Sequence, residues 1–259
     1  MANVSFDFSA NSVLVTGGTS GIGEAVATAF VKSGANVVIT GRNIERGAAL
    51  ITKFSTDSAD TNAKFIAGDI TDSVFCQSLV TQSAAFLGGL DIVVNCAGVI
   101  YHADAEETTD AQWHETMNVN VNGTFFVCRA ALGLMKTTGG VIINIASDAG
   151  LSASSRLMAY NTSKGAVIQM SRSMARDYGK HDVRVIPICP GDVDTPMLRG
   201  EFRQNGVDAG TGLAASAASV PLNRVCTAAE VADLVLYAAS DSAAFMSGYP
   251  LVLDAANRA

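Results

Sequence analysis

Short apolar, β-branched runs alternate along the chain with longer stretches whose apolar positions recur every three or four residues. This spacing predicts strands at 13–16, 37–40, 64–67, 91–94, 141–145, 183–188 and 251–253. It predicts helices at 22–31, 43–54, 72–87, 111–135, 157–178 and 228–239, with Asp72 in a position to cap the third. In the fourth helix Trp113, Met117, Val121 and Phe125 recur at intervals of four, a stripe that reads as packing, and Gly139-Gly140 stops it. The fourth strand is continuously apolar over Ile92-Val93-Val94, as expected when both faces of a sheet are covered. Strands alternating with helices imply βαβ units with right-handed crossovers. The expected fold class is therefore α/β: one doubly wound domain over 1–259, a seven-stranded parallel sheet with helices on both faces. No linker or repeat interrupts it. The stretch 197–222, rich in Gly, Ala and Ser, reads as irregular, and so long a loop in a compact domain suggests a lid over a substrate site.

Composition narrows the function classes. At 259 residues the chain can bury ~70–75% of its unfolded surface without disulfides or metals. Hydrophobic residues are 49% and charged residues 16%, which excludes a disordered or coiled-coil chain. A net charge of −7 with no basic block argues against nucleic acid and anionic membranes as partners, though not against an anion held in one pocket. The longest apolar runs break within about ten residues, too short to span a bilayer. Met1 to Phe8 carries no basic segment before an apolar one, so no signal peptide is expected. Five dispersed cysteines, Cys76, Cys96, Cys128, Cys189 and Cys226, suggest reduced thiols and a cytoplasmic location. Three unpaired histidines, His102, His114 and His181, leave no expected metal site.

The first predicted strand is followed by Thr16-Gly17-Gly18-Thr19-Ser20-Gly21-Ile22-Gly23 and then a helix. A Rossmann-type unit needs glycines in that turn so that backbone N–H groups can reach a pyrophosphate at the positive end of the helix. An ordinary βα turn is the alternative, but its place between first strand and helix favours phosphate binding. At the end of the second strand the sequence is Thr40-Gly41-Arg42-Asn43, with no carboxylate to hold a ribose 2′-hydroxyl. Arg42 can instead hold a 2′-phosphate, a contact to a charged group being worth roughly 1.5–3 kcal/mol. The alternative is a solvated arginine at a helix start. NADP(H) is therefore favoured as cofactor, with NAD(H) the other candidate.

Over nearly its whole length the chain resembles the short-chain dehydrogenase/reductase family. The resemblance rests on TGxxxGxG at 16–23, Gly68-Asp69-Ile70, Asn95-Cys96-Ala97-Gly98, Asn120 within Val119 to Gly123, Ser147, the YxxxK pair Tyr160 and Lys164, and Pro190-Gly191-Asp192-Val193-Asp194-Thr195. It implies a tetrad of Asn120, Ser147, Tyr160 and Lys164, with Asn120 holding a water relay to Lys164 and Lys164 touching the nicotinamide ribose. It further implies cofactor contacts from Gly17, Thr19, Ser20, Gly21, Ile22 and Gly23. Asp69 and Ile70 would flank the adenine, Asn95, Ala97 and Gly98 the ribose, and Pro190, Gly191, Val193 and Thr195 the nicotinamide. It also implies a homotetramer or homodimer. Where relatives often carry a glycine pair after the last strand, this chain has Asp254-Ala255-Ala256, which leaves the C-terminal turn open.

The chemistry can be argued beside the resemblance. A secondary alcohol loses hydride only as its hydroxyl proton leaves, so a base must sit at the oxygen, and in reduction the same group acts as acid. Tyrosine, near pKa 10, needs help, and an ammonium four residues away on the same helical face is expected to lower it. Ser147, at a strand end, can orient the substrate oxygen. Taken singly, Tyr160 and Lys164 could be a surface pair, Ser147 could cap the following loop, and Asn118 or Asn122 could replace Asn120. His102 lies near the expected substrate entrance. The expected function is hydride transfer between NADP(H) and a small secondary alcohol or ketone. A 3-oxoacyl-carrier-protein reductase and a non-catalytic dinucleotide-sensing protein are the alternatives.

Overall fold

The computed structural model describes residues 4–57 and 62–258. Met1, Ala2 and Asn3, which begin the stretch read above for a targeting signal, lie outside the described residues. The strands are β1 Ser12–Thr16, β2 Asn36–Gly41, β3 Ala63–Ala67, β4 Ile92–Asn95, β5 Gly140–Ile145, β6 Val183–Pro190, β7 Val193–Asp194, β8 Cys226–Thr227 and β9 Leu251–Leu253. The helices are α1 Gly21–Lys32, α2 Ile44–Asp57, α3 Ser73–Leu87, α4 Asp110–Thr116, α5 Thr124–Met135, α6 Met158–Tyr178, α7 Pro196–Gln204, α8 Ala209–Ala218 and α9 Ala228–Ala239.

Seven strands form one parallel sheet in the order β3-β2-β1-β4-β5-β6-β9. Alternate residues serve opposite faces, which explains the unbroken apolar strands. Val13, Val15, Ile39, Val94, Ile143 and Ile188 pack against Val26 and Phe30 of α1 and Val235 of α9. Leu14, Val38, Val93, Ile142 and Val185 pack against Leu79 of α3, Met135 of α5 and Met174 of α6. Each such buried side chain contributes roughly 1.5–3 kcal/mol, so the sheet is fixed from both sides. The chain order reverses at β1, between β2 and β4, and a crevice opens there at the C-terminal strand ends. Asp72 caps α3 by accepting the Val74 and Phe75 N–H groups, and Gly88 ends that helix at φ 79°. Among the described residues no helix is long and apolar enough to cross a membrane.

Two expectations are corrected. The helix predicted over 111–135 begins at Asp110, where Thr109 and Gln112 form a capping box, and is interrupted by a π-helical segment, Met117–Gly123. Apolar spacing of four cannot reveal such a segment: Met117 and Val121 lie inside it, and an interval of four suits its wider turn as well as an α-helical one. Gly123, at its end, makes room for Ile70: a Cβ there would lie 2.6 Å from Ile70 Cδ1. The stretch 197–222 is not irregular. Thr195 caps α7 with Pro196 in its first turn, and Asp208 caps α8 by accepting from Gly210 and Thr211. A two-residue ladder, β7 with β8, ties the start of this stretch to the segment preceding α9.

Candidate active site

The glycine turn sits at the crevice. Gly17 has φ +63°, and a Cβ there would lie 2.7 Å from the Ala97 Cα, so the turn presses directly on the backbone after β4. A Cβ on Gly23 would lie 2.2 Å from the Gly17 carbonyl, so α1 closes onto the same turn. Ser20 caps α1 in extended conformation without spending its hydroxyl on the helix. The first turn of α1 thus presents N–H groups and the positive end of the helix to a lobe of about 920 Å³. Gly17, Thr19, Ser20, Gly21, Ile22 and Gly23 line one side of it; Arg42, Asp69, Ile70, Ala97, Gly98 and Thr195 line the rest. Arg42 is exposed and makes no ion pair among the described residues.

Asn95 is not brought to this lobe. Its side chain is buried, donates to Asn144 Oδ1 at 2.9 Å and contacts Cys128 Sγ at 3.3 Å. Asn144 in turn donates to Ser171 Oγ, so the amide ties β4, β5 and α6 together beneath the turn. Its neighbour Cys96 lines the lobe instead, with burial pushing the thiol up to about 12, so it stays an uncharged wall.

A second lobe, of about 770 Å³, contains Ser147, Tyr160, Lys164, Pro190, Gly191, Val193 and Thr195 in its walls. The two lobes share Ile22, Cys96, Gly98, Thr195 and Met197 and form one cleft. Met197 and Leu198 of α7 reach the second lobe, while α8 contributes nothing to its walls. Ser147 follows β5, is buried, and accepts the Ala149 N–H at 3.1 Å while facing the cleft. It caps a turn and lines the site at once. Lys164 is buried and donates to the Ile145 carbonyl at 2.8 Å. Burial pulls its ammonium down to about 8, opposed by Cys96 and Cys189.

Tyr160 is half-buried beside Ser147. Burial pushes its phenol above the ordinary value, a hydrogen bond with Ser147 pulls it down, and the negative charges of Glu201, Asp148 and Asp192 push it further up. The lowering expected from Lys164 therefore does not set the direction; desolvation does. A phenol so placed keeps its proton at neutral pH.

Asn120 lies in the π segment, buried, and not in the wall of either lobe. Its Oδ1 accepts the Val99 N–H at 2.8 Å, and its Nδ2 donates to the Val99 carbonyl at 2.9 Å and to Ser163 Oγ at 3.0 Å. It therefore joins the segment after β4 to α6, directly before Lys164. Asn118 and Asn122 bond to each other on the exposed face. His102 also points elsewhere: its Nδ1 accepts from Arg156 Nε at 3.4 Å, in a cluster where Arg156 pairs with Glu107.

Sequence reasoning missed Asp148, Asp192 and Glu201, which line the second lobe together with Ile100 and Leu157. Burial, followed by the Asp192 charge, pushes the Glu201 carboxyl up to about 7. The unexpected carboxylates had one available signal, their placement beside motif residues: Asp148 directly follows Ser147, Asp192 lies within Pro190–Thr195 and Glu201 on the helix after it. The C-terminal turn left open by the sequence is formed by alanines: Ala255 and Ala256 adopt φ 54° and 64°, with Asp254 Oδ1 accepting the Ala256 N–H.

A doubly wound sheet with a glycine turn at its crevice is the architecture on which dinucleotide sites are built, and similarity to known proteins gives the family. The family model described as short chain dehydrogenase matches residues 11–206, and the chain belongs to that family of oxidoreductases. It is 33% identical over 258 residues to trans-4-hydroxycyclohexanecarboxylate dehydrogenase of Sinomonas cyclohexanicum, covering 98% of this chain and 95% of the relative. It is 34% identical over 246 residues to an NADP-dependent (R)-specific alcohol dehydrogenase of Lentilactobacillus kefiri, covering 93% and 94%. An actinorhodin polyketide ketoreductase variant crystallised with NADPH superposes with TM-score 0.89 at 27% identity, covering 96% of this chain and 98% of the other.

Proposed function

We propose that the protein transfers hydride between NADP(H) and a small secondary alcohol or ketone, with Tyr160 as general acid and base. The observation that carries this is one cleft whose first lobe is walled by the glycine turn and Arg42 and whose second holds Ser147, Tyr160 and Lys164. These residues fit a dinucleotide: Gly17, at φ +63°, lets the turn seat tightly on the Ala97 backbone beside the lobe, and Arg42 stands in the lobe with no ion-pair partner among the described residues. Gly17 to Gly23 would hold the pyrophosphate, Arg42 the 2′-phosphate, Asp69 and Ile70 the adenine, Ala97 and Gly98 the ribose, and Pro190, Gly191, Val193 and Thr195 the nicotinamide. The bound cofactor supplies the hydride. Tyr160 donates the proton to the carbonyl oxygen in reduction, Ser147 orients that oxygen, and Lys164 sets the charge beside the phenol. Asn120 acts by holding the backbone next to Lys164.

The segment 197–222 is proposed as the substrate lid, with α7 as its working part. Asp192 and Glu201 disfavour an anionic substrate, which counts against the carrier-protein alternative. A sensor without catalysis would not require Ser147, Tyr160 and Lys164 to converge. We further propose a single cytoplasmic domain that assembles as a homotetramer or homodimer. The test is a panel of ketones with NADPH and alcohols with NADP+, followed by absorbance in wild type and Tyr160→Phe. Turnover that survives the substitution would refute the assignment.

A further inference from the structure

The strand β9 ends at Leu253, and the chain then folds back across the sheet end. Asp254 organises the return: its Oδ1 accepts from Ala256 N, its Oδ2 from Arg258 N, and its carbonyl from Asn257 N. Two left-handed alanines are tolerated in this turn. Strain of that kind persists where surrounding contacts over-determine it. The contacts it secures lie far away in sequence. Arg258 Nε reaches Asp148 Oδ2 at 3.2 Å, Asn257 Nδ2 reaches the same oxygen at 3.1 Å, and Arg258 Nη2 donates to Ser154 Oγ at 2.6 Å.

Asp148 has a side chain only 8% exposed, so its charge needs these partners. Its other oxygen, Oδ1, lies 3.2 Å from Ser147 Oγ, whose proton it can accept. The Ser147 hydroxyl can thus donate to the adjacent carboxylate, to the Pro190 carbonyl at 3.4 Å, or to whatever occupies the second lobe. A carboxylate stripped of its cation would hold that proton more strongly.

We infer that Arg258 is a positioning residue: by neutralising and anchoring Asp148, it holds the Ser147 loop in place and leaves the Ser147 hydroxyl free to donate into the cleft. This rests on the reading of Ser147 given above. The C-terminal tail is then part of the working site although it touches neither lobe's reacting groups.

The test uses the full chain, with cyclohexanone and NADPH as the probe pair and hydrogen exchange of residues 147–154 as a readout independent of turnover. Arg258→Ala is expected to lower kcat at least tenfold, leave the NADPH KM within twofold, and speed exchange in 147–154 at least tenfold while β5 is unchanged. Arg258→Lys is expected to recover most of the rate. Adding Asp148→Asn to Arg258→Ala is expected to restore part of it, because the uncompensated charge is gone, whereas a merely structural tail would show additive losses. Wild-type kcat and exchange in Arg258→Ala, or additive losses in the double variant, would overturn the inference. Ser147→Ala serves as the control: full activity there refutes the role of Ser147 itself, while an inactive Ser147→Ala beside a normal Arg258→Ala refutes only the tail.

Discussion

The Lys164 ammonium lies 5.5 Å from the centre of the Tyr160 ring while it donates to the Ile145 carbonyl at 2.8 Å. The strand end of β5 therefore fixes the cation, and α6 fixes the phenol relative to it. With its ammonium near 8, Lys164 is charged at neutral pH, whereas burial keeps Tyr160 protonated. This arrangement suits a proton donor. Tyr160→Phe removes the proton without emptying the cofactor lobe, so kcat is expected to fall by ~10²–10⁴. NADPH binding, followed by fluorescence, should change less than twofold; a variant that turns over at the wild-type rate would exclude Tyr160 as the acid.

Arg42 gives the second prediction. Its side chain lines the first lobe, and no carboxylate stands at the end of β2 to select a 2′-hydroxyl. Arg42→Ala is expected to reduce kcat/KM for NADPH by roughly 10–100-fold, the equivalent of one contact to a charged group, and to leave NADH nearly unaffected. Paired measurements with both cofactors decide it. Equal losses for both would mean that Arg42 holds the lobe rather than the phosphate.

How far the sequence disclosed all this can be seen residue by residue. The strands were legible because both faces of a parallel sheet are buried, so Val13-Leu14-Val15 and Ile142-Ile143 stand out as unbroken apolar runs. Motif spacing pointed to Ser147, Tyr160 and Lys164, and all three face one lobe. Spacing could not choose among Asn118, Asn120 and Asn122, since a π segment breaks the helical register that the choice depends on. Nor could it show that Asn95 turns into the core, because that follows from a network spanning β5 and α6. The caps Thr195 and Asp208 were visible as residue types, but the small residues between them read as a loop.

Glu201 supplies a pH dependence. Its carboxyl is pushed up to about 7, chiefly by burial and secondly by Asp192, and it lies close enough to raise the Tyr160 phenol. A group whose folded value is raised contributes stability below its unfolded value and loses it as pH climbs through the folded one. For Glu201 that window runs from the ordinary 4.5 to about 7. Glu201→Gln removes the charged form, so Tm should rise by about 2–4 °C at pH 8, the shift ~1 kcal/mol produces in a chain of this size. At pH 5 the two proteins should melt together. A stabilisation equal at both pH values would point to packing rather than charge.

The last prediction concerns the turn that carries the tail. Ala255 and Ala256 hold φ 54° and 64°, a region in which an L side chain crowds its own backbone at ~1–2 kcal/mol per residue. Glycine relieves the crowding but gives back ~0.5–1 kcal/mol through its freer unfolded chain. Ala255→Gly and Ala256→Gly should therefore each stabilise the protein by about 0.5 kcal/mol or slightly more, read by denaturant midpoint at constant m. Because Asp254 already holds both ends of the turn, through Ala256 N and Arg258 N, the geometry survives the change. The relaxed turn should keep Arg258 on Asp148 and leave kcat unchanged. A loss of kcat with a gain in stability would mean instead that the strained alanines themselves press the tail onto the Ser147 loop.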